Sequence, residues 1–333
     1  MIGIGEIQDA AERIAGHVVR TPTVASPGLS ALLGAPVTAK LEVLQRTGSF
    51  KARGATAKLL TLTEAERAAG VVAVSGGNHG IALAHMAAAL HIKATVVMSR
   101  SAPRRAADLV EAAGASLRLT DGMAEAFALA ERLRSEGLTL VHPFDDPWVI
   151  AGQGTVGLEF AEDLPNSGAT AGSGATAGGA LTDVLVSIGG GGLVAGVAAA
   201  FRALLPGVRV WGVETVGATA MADALTAGGP VTVPLSSVVT TLSAPSVSRL
   251  TYDHVASLVE DVLVVSDAEA VQGVLDFAEH GKVWTEPAAG CLLPAARQVL
   301  ARVGDGARLG LVVCGGNATT ADITEWARRF ELR

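Results

Sequence analysis

Short apolar runs rich in β-branched residues alternate with alanine-rich stretches along most of this chain of 333 residues. The apolar runs are continuous, which is typical of strands that are buried on both faces of a parallel sheet. The stretches between them have apolar residues at helical spacing, as in residues 81–90, 124–134 and 271–280. The pattern predicts an α/β fold in which helices cover mainly parallel sheets. The predicted strands are residues 37–41, 71–75, 94–98, 116–119, 184–188, 208–213, 262–265 and 309–313.

The composition and charge of the chain exclude several classes of function. Half of the residues are hydrophobic and 17% are charged, which is typical of a globular protein. The net charge of −7 and the single tyrosine argue against nucleic acid as the main partner. No apolar run has the length of a signal peptide or a membrane helix, so we expect a cytoplasmic protein without membrane contact. Two cysteines, Cys291 and Cys314, cannot form a zinc site of the usual paired spacing, and we expect no metal.

Residues 166–180 differ in composition from the rest of the chain. They read NSGATAGSGATAGGA and contain no large apolar side chain. Such a segment cannot offset the entropy that ordering it would cost. We interpret it as a flexible surface insertion in front of a strand.

Four stretches that could carry chemistry lie where a predicted strand passes into a helix. The first, TGSFKARG, places Lys51 among small and apolar residues, where burial would lower its pKa and make it a nucleophile or base. Its alternative is an ordinary solvated lysine. The second, SGGNHG at residues 75–80, would expose backbone N–H groups at a helix N-terminus and bind a phosphate or a carboxylate. Its alternative is a glycine-rich turn without a ligand.

The third stretch, SIGGGGLVAG at residues 187–196, predicts a phosphate-binding turn. Gly190, Gly192 and Ala195 also satisfy the looser dinucleotide pattern, and Glu214 ends the next strand near the position of a ribose-binding acid. The fourth, CGGN at residues 314–317, would let Cys314 approach a bound ring, or it is a tight turn with a buried thiol. These residues alone leave a Rossmann-type nicotinamide-dependent oxidoreductase open.

Taken together, the motifs resemble those of the fold type II pyridoxal-phosphate (PLP) enzymes, specifically the serine/threonine dehydratase and serine racemase family. TGSFKARGA, SGGNHG, GQGTVGLE, GGGGLVAG, EPAAG and CGGN occur in the family's order, and the resemblance runs from Arg20 to Asn317. It implies a tryptophan-synthase-β-like architecture with a large cofactor-binding domain, residues 1–62 and 147–333, and a small mobile domain, residues 63–146. A homodimer is typical of such enzymes.

For the cofactor, the resemblance implies roles for individual residues. Lys51 would form the Schiff base, and Phe50 would pack against the cofactor ring. Asn78 would hydrogen-bond the ring hydroxyl, Cys314 would face the ring nitrogen, and Glu286 would lie near the cofactor. The phosphate would bind the backbone N–H groups of one loop, formed by Gly189, Gly190, Gly191, Gly192 and Leu193.

The implied reaction removes water and ammonia from a small β-hydroxy amino acid and yields a 2-keto acid. PLP provides the electron sink, and a thiol at the ring nitrogen would leave the ring largely unprotonated, which favours loss of a β-substituent over transamination. Lys51 would remove the α-proton, and Ser75 would be a further catalytic residue. The substrate carboxylate would bind a loop containing Ser75, Gly77, Asn78 and His79.

Departures from the family pattern affect the expected reaction and substrate. Gly76 stands where the racemases carry a serine as the second acid–base group, so racemisation is only the alternative activity, together with elimination of another β-substituent. Glu214 matches the racemases' cation site, but Ala220 stands where its later acid would be. Residues 240–246, TTLSAPS, replace the Ala-Asp-Gly type of sequence in threonine dehydratases, which leaves β-aryl serines and 3-hydroxyaspartate open as substrates. Since one predicted helix follows CGGN, we expect no regulatory domain and a catabolic or specialised role.

Overall fold

The computed structural model describes residues 1–164 and 180–332, so the insertion predicted at residues 166–180 lies outside the described residues except for Ala180. The described residues form ten strands. They are β1 (Thr23–Ala25), β2 (Val37–Leu41), β3 (Val71–Val74), β4 (Ala94–Ser99), β5 (Ser116–Thr120), β6 (Thr139–Leu140), β7 (Asp183–Ser187), β8 (Arg209–Thr215), β9 (Asp261–Val265) and β10 (Leu309–Val313).

Two sheets are built from these strands. The larger has the order β1-β2-β10-β7-β8-β9, and the smaller has the order β5-β4-β3-β6. Within the described residues β1 pairs antiparallel with β2, and the other strand pairs are parallel. The α/β class with mainly parallel sheets is therefore confirmed. The sequence pattern missed β1 and β6, because strands of three and two residues are too short to show a periodicity.

Helices connect the strands and cover both sheets. They are α1 (Ile4–Ile14), α2 (Pro27–Leu33), α3 (Lys51–Leu59), α4 (Glu64–Ala69), α5 (Asn78–Ala89), α6 (Arg104–Ala112), α7 (Met123–Ser135), α8 (Pro147–Glu162), α9 (Gly192–Leu204), α10 (Ala220–Ala227), α11 (Arg249–Leu258), α12 (Asp267–Asp276), α13 (Pro287–Gly290), α14 (Leu292–Val303) and α15 (Thr320–Arg329). None of the helices in the described ranges combines the length and apolar character that crossing a bilayer requires.

The smaller sheet lies within one segment of the chain. Strands β3 to β6 fall between residues 71 and 140, inside the range 63–146 that the resemblance assigns to a small domain. The strands of the larger sheet lie before and after this range, as expected for a domain formed by two separate segments. That the smaller unit moves stays a prediction.

Close contacts of α8 explain the glycines of the GQGTVGLE motif, since Gly152 lies against α3 while Gly154 and Gly157 lie against α9. A Cβ added at Gly196 in α9 would lie 2.5 Å from the backbone nitrogen of Gly154 in α8. Beside this contact, Phe160 and Phe201 pack edge to face with ring centroids 5.8 Å apart. The motif therefore packs one helix against the other, which fixes the N-terminus of α9 at the carboxyl end of β7.

A buried ion network holds α3 against β2 and α8. Arg53 in α3 is fully buried and lies 2.8 Å from a carboxylate oxygen of Glu42 and 2.7 Å from one of Glu159. Lys40 in β2 is also fully buried and lies 2.9 Å from Glu159. Since Arg53 follows Lys51 by two residues, this network fixes the helix that begins with Lys51.

We expect Arg53→Ala to destabilise the protein by about 3–5 kcal/mol, because it leaves the fully buried carboxylate of Glu42 without its ion-pair partner. Urea denaturation of the cofactor-free protein measures this change. The control is Arg104→Ala, which removes an exposed pair with Asp108 and should cost about 0.5 kcal/mol or less. Equal costs for the two variants would contradict a structural role for the network.

Candidate active site

Lys51 is the first residue of α3; the residue as a whole is partly exposed, but its amine is buried. The Nζ donates a hydrogen bond of 2.9 Å to the carbonyl oxygen of Pro143, which follows the smaller sheet in the chain. Burial lowers the pKa of Lys51 to about 8, and the nearby Cys314 opposes this shift. A larger share of the amine is therefore neutral at pH 7 than for an ordinary lysine, as a nucleophile or a base requires. The Lys51 amine is therefore not that of an ordinary solvated lysine.

Backbone pairing joins the loop that carries Lys51 to the loop that carries Cys314. The Phe50 N–H donates to the Cys314 carbonyl at 3.0 Å, and the Gly316 N–H donates to the Gly48 carbonyl at 3.0 Å. The chain reaches this pairing through Thr47 and Gly48, which both have left-handed backbone angles, φ 66° and 71°. Such a turn is unfavourable for threonine and brings two loops together that are more than 260 residues apart.

The SGGNHG stretch forms the entry to α5. Ser75 follows β3, its hydroxyl accepts the Gly77 N–H at 3.2 Å, and Gly77 is the residue before the helix. The first N–H groups of a helix have no partner within it and carry a partial positive charge. These groups belong to Asn78 and His79, so the turn has the geometry of an anion site.

His79 is buried and is held in its neutral form. Its Nε2 donates to the carbonyl of Val141 at 2.9 Å, while Nδ1 has no partner among the described residues. Burial, and secondly the charge of Lys51, lower the pKa of His79 to about 3. A neutral imidazole with one nitrogen fixed on a carbonyl agrees with a structural or carboxylate-binding role more than with a proton shuttle.

The four glycines after β7 leave no room for side chains. Gly191 has a left-handed φ of 89°, and a Cβ there would lie 2.9 Å from Met221 and Thr251. A Cβ at Gly190 would overlap the ring of Phe144, and one at Gly189 would lie 3.3 Å from the backbone of Leu242. Gly192 and Leu193 begin α9, so their N–H groups face the turn. The turn is a backbone cradle for an anion such as a phosphate.

Cys314 follows β10 and is buried beside Lys51. Burial, and next the charge of Glu286, raise the pKa of Cys314 well above its ordinary value, so the thiol keeps its proton at neutral pH. Ser187 lies close to the thiol, and its hydroxyl donates to the Ala288 carbonyl at 2.5 Å. A neutral thiol at this place is a weak partner for a ring nitrogen.

Glu286 precedes α13 and binds the amides of two asparagines. Its Oε1 accepts from Nδ2 of Asn78 at 2.8 Å, and its Oε2 accepts the backbone N–H of Asn317 at 3.1 Å. Burial raises the pKa of Glu286, although these bonds and one from the Thr241 hydroxyl oppose the shift. The carboxyl group thus joins α5, the CGGN loop and the segment 240–246 in one network.

The site fits a phosphorylated aldehyde cofactor. It has an amine of lowered pKa, a glycine cradle at a helix N-terminus, and buried hydroxyls of Ser49 and Thr285 without partners among the described residues. Ser49 lies two residues before Lys51, and Thr285 lies next to Glu286, so polar atoms of a bound group could satisfy them. Backbone N–H groups and the α9 dipole would hold the phosphate there.

The Glu214 carboxylate binds backbone N–H groups of its own chain, where a ribose-binding or cation-binding acid would face a ligand. Its carboxylate accepts the backbone N–H groups of Met221 and Ala222 at 2.8 and 2.9 Å, at the start of α10. Burial raises its pKa to about 7. Within the described ranges no group of three or more His, Cys, Asp or Glu side chains is placed to hold a metal ion.

Sequence reasoning missed several residues that the structure brings to this site. Pro143 accepts the hydrogen bond of the Lys51 amine, and Phe144 packs against the glycine cradle. Asn317 is part of the CGGN motif, but the sequence pattern assigned it no role of its own. A signal for the first two exists, because they follow a strand of a parallel sheet at its carboxyl end. The Asn317 contacts join residues 239 and 270 positions apart and leave no local signal.

Comparisons with known proteins agree with this geometry. A sequence model of the family described as "Pyridoxal-phosphate dependent enzyme" matches residues 14–315. A putative threonine dehydratase of Sinorhizobium fredii is 38% identical over 323 residues, which cover 95% of this chain and 92% of that protein. The phenylserine dehydratase of Ralstonia pickettii is 36% identical over 322 residues, covering 96% and 94%. The solved structure of maize serine racemase superposes with a TM-score of 0.88 at 32% identity, covering 99% of this chain and 97% of that one.

The lowered pKa of Lys51 is directly measurable. The chain has five lysines, so reductive methylation of the cofactor-free protein with ¹³C-formaldehyde gives few NMR signals. We expect the Lys51 signal, which Lys51→Arg removes, to titrate near pH 8, because burial disfavours the charged amine. A midpoint at the ordinary lysine value of about 10.4 would contradict the buried amine.

Proposed function

The chain belongs to the pyridoxal-phosphate dependent enzyme family, and from this premise we propose that it is a dehydratase of the ammonia-lyase type. It converts a β-hydroxy-α-amino acid, of the threonine or serine type or with a larger β-substituent, to a 2-keto acid and ammonia. The observation that carries this proposal is the Lys51 amine of lowered pKa, placed beside a neutral thiol at Cys314. The relatives named threonine dehydratase and phenylserine dehydratase support the reaction class.

Lys51 has two tasks in this proposal. When bound, PLP provides the electron sink that stabilises negative charge at the substrate Cα. Lys51 would hold the cofactor covalently, and its neutral amine would take the α-proton of the substrate. The Pro143 carbonyl, 2.9 Å from Nζ, orients the amine for this transfer. Asn78 and Phe50 are proposed to contact the cofactor ring, and the loop of residues 189–193 its phosphate.

The entry to α5 is the proposed site of the substrate carboxylate. The N–H groups of Asn78 and His79 supply positive potential without a charged side chain, and Ser75 adds a hydroxyl. Since the pKa of His79 is about 3, the imidazole stays neutral and takes no proton from the substrate. The Thr241 methyl would lie 3.6 Å from a Cβ at Gly77, so the segment 240–246 forms a wall of the same pocket.

Racemisation is the alternative activity, and the similarity to serine racemases supports it as an alternative. A racemase needs a second acid–base group on the face opposite Lys51. The position that would carry it is Gly76, and a Cβ added there would lie 2.7 Å from the Cβ of Ala102. The methyl of Ala102 thus occupies the space of the missing side chain, which favours elimination.

We further propose a homodimer in the cytoplasm, with the segment 63–146 closing over the substrate. Two large apolar side chains near the site, Leu44 and Trp284, are 56% and 40% exposed, which suits a subunit contact. Both cysteines are free thiols, which suits a reducing compartment. Closure of the smaller unit would exclude water from the reacting substrate.

We expect keto-acid and ammonia release from at least one of L-threonine, L-serine, phenylserine and 3-hydroxyaspartate. Lys51→Ala should lower this rate by at least about 10²–10⁴-fold, because it removes both the covalent anchor and the base. Lys93→Ala, an exposed lysine away from the site, is the matched control and should be unaffected. Fully loaded protein that releases no ammonia from any of these compounds would overturn the proposal.

Gly76→Ser alone should add little racemisation, because the Ala102 methyl displaces the new side chain. The double variant Gly76→Ser/Ala102→Gly should racemise serine faster than the wild type by about 10²-fold or more, the usual effect of one positioned acid–base group. Incubation with either enantiomer, followed for chirality and for keto acid, measures both reactions, and Ala102→Gly is the control. A double variant that racemises no faster than this control would show that the missing side chain at Gly76 does not limit the rate of racemisation.

A further inference from the structure

The orientation of the Asn78 amide decides what Asn78 can do at this site. One end of the amide donates hydrogen bonds and the other accepts them. Asn78 is 7% exposed, so solvent does not satisfy both ends. If Asn78 is to donate to a ring hydroxyl oxygen of the cofactor, its nitrogen end must face the site.

Asn317 fixes this orientation. Its Nδ2 lies 2.8 Å from the carbonyl oxygen of Thr47 and 2.8 Å from Oδ1 of Asn78. A backbone carbonyl only accepts hydrogen bonds, so the atom of Asn317 that faces it is the nitrogen. The same nitrogen then donates its second proton to Asn78, which must present its oxygen to Asn317.

Glu286 holds the other end of the Asn78 amide. The Nδ2 of Asn78 donates one proton to Oε1 of Glu286 at 2.8 Å. Its second proton has no partner among the described residues. The backbone N–H of Asn317 donates to Oε2 of the same carboxylate. Asn317 therefore binds Asn78 directly and also binds Glu286, the other partner of Asn78.

Asn317 also binds the turn that leads to Lys51. Thr47, which accepts from Asn317, has a left-handed φ of 66°, and Gly48 has φ 71°. A Cβ at Gly48 would lie 2.7 Å from Oδ1 of Asn317, so this side chain packs directly on the turn. One amide therefore contacts both the Asn78 amide and the backbone four residues before Lys51.

We propose that Asn317 is a positioning residue that orients the Asn78 amide, so that one N–H binds Glu286 and the other is free to donate to the cofactor. It acts through Asn78 and through the turn at Thr47, without contacting the reacting atoms. The inference rests on cofactor binding by this family and is independent of which substrate the enzyme dehydrates.

The composition of the chain makes the orientation measurable without cofactor. There are three asparagines, Asn78, Asn166 and Asn317, so labelling with [¹⁵N]asparagine gives three pairs of side-chain amide signals. Asn166→Gln and Asn317→Ala identify the pairs by elimination. In the wild type we expect a slowly exchanging Asn78 proton, because one N–H is hydrogen-bonded to a buried carboxylate.

The test variants are Asn317→Ala and Asn317→Asp. The alanine removes both bonds, so the Asn78 signals should broaden and exchange faster with water. The aspartate keeps the shape but puts an oxygen against the Thr47 carbonyl and Asn78 Oδ1, so the Asn78 amide should lose its fixed orientation. The matched control is Thr319→Ala, which removes the cap of α15 at about 1 kcal/mol and should leave the Asn78 signals unchanged.

Titration with PLP, followed by absorbance, gives a second readout. Loss of one hydrogen bond to the cofactor should weaken its binding about three- to tenfold in Asn317→Asp. Unchanged Asn78 signals in both folded variants would overturn the proposal, as would altered signals with unchanged PLP affinity. If the wild type binds PLP but releases no keto acid, the proposed reaction fails while this test stands.

Discussion

The pairing of the loop at residues 48–50 with the loop at residues 314–316 is the contact on which the site depends. It consists of two backbone hydrogen bonds of 3.0 Å, yet it places Lys51 beside Cys314 and within reach of the Pro143 carbonyl. Because Lys51 is buried there, its pKa falls to about 8, and the same burial keeps the thiol protonated. The chemistry of both groups is thus a consequence of where the backbone puts them. The ion network at Arg53 supports this placement from behind, since it fixes the helix that Lys51 begins.

The site uses few charged side chains, and this determines which ligands it can hold. His79 is neutral, Cys314 keeps its proton, and the buried carboxyl of Glu286 accepts hydrogen bonds from the Asn78 side chain and the Asn317 backbone. In the proposed function, the negative charges of a phosphate and a carboxylate would instead be met by two helix N-termini, those of α9 and α5, at the carboxyl ends of β7 and β3. Backbone N–H groups are fixed by the fold and do not titrate in the working pH range, so the charge that these groups would offer an anion would not change there.

The sequence predicts local features well and long-range ones poorly. Continuous apolar runs identify the strands of both sheets that have four or more residues, and glycine clusters identify the turns at residues 75–80 and 187–196. The roles taken from the family resemblance stay predictions, although their side chains and backbone groups do converge. The spacing of Glu214 suggested a ribose-binding acid, but its side chain binds the start of α10, a direction that strand spacing does not encode. The contacts of Asn317 form only through folding, so no local pattern marks this residue.

Elimination and racemisation differ in whether a proton carrier is needed on the substrate face opposite Lys51. Elimination needs a base on a single face. After Cα has lost its proton, the β-hydroxyl leaves, and no proton has to be added to Cα from the opposite face. Racemisation needs a proton carrier on each face, and Gly76, the position proposed for the second one, has the Ala102 methyl against it. A methyl group can neither give nor take a proton, and it also excludes water that might do so. If Gly76 and Ala102 line this face, as we propose, their small side chains would keep the reaction on the path that uses Lys51 alone.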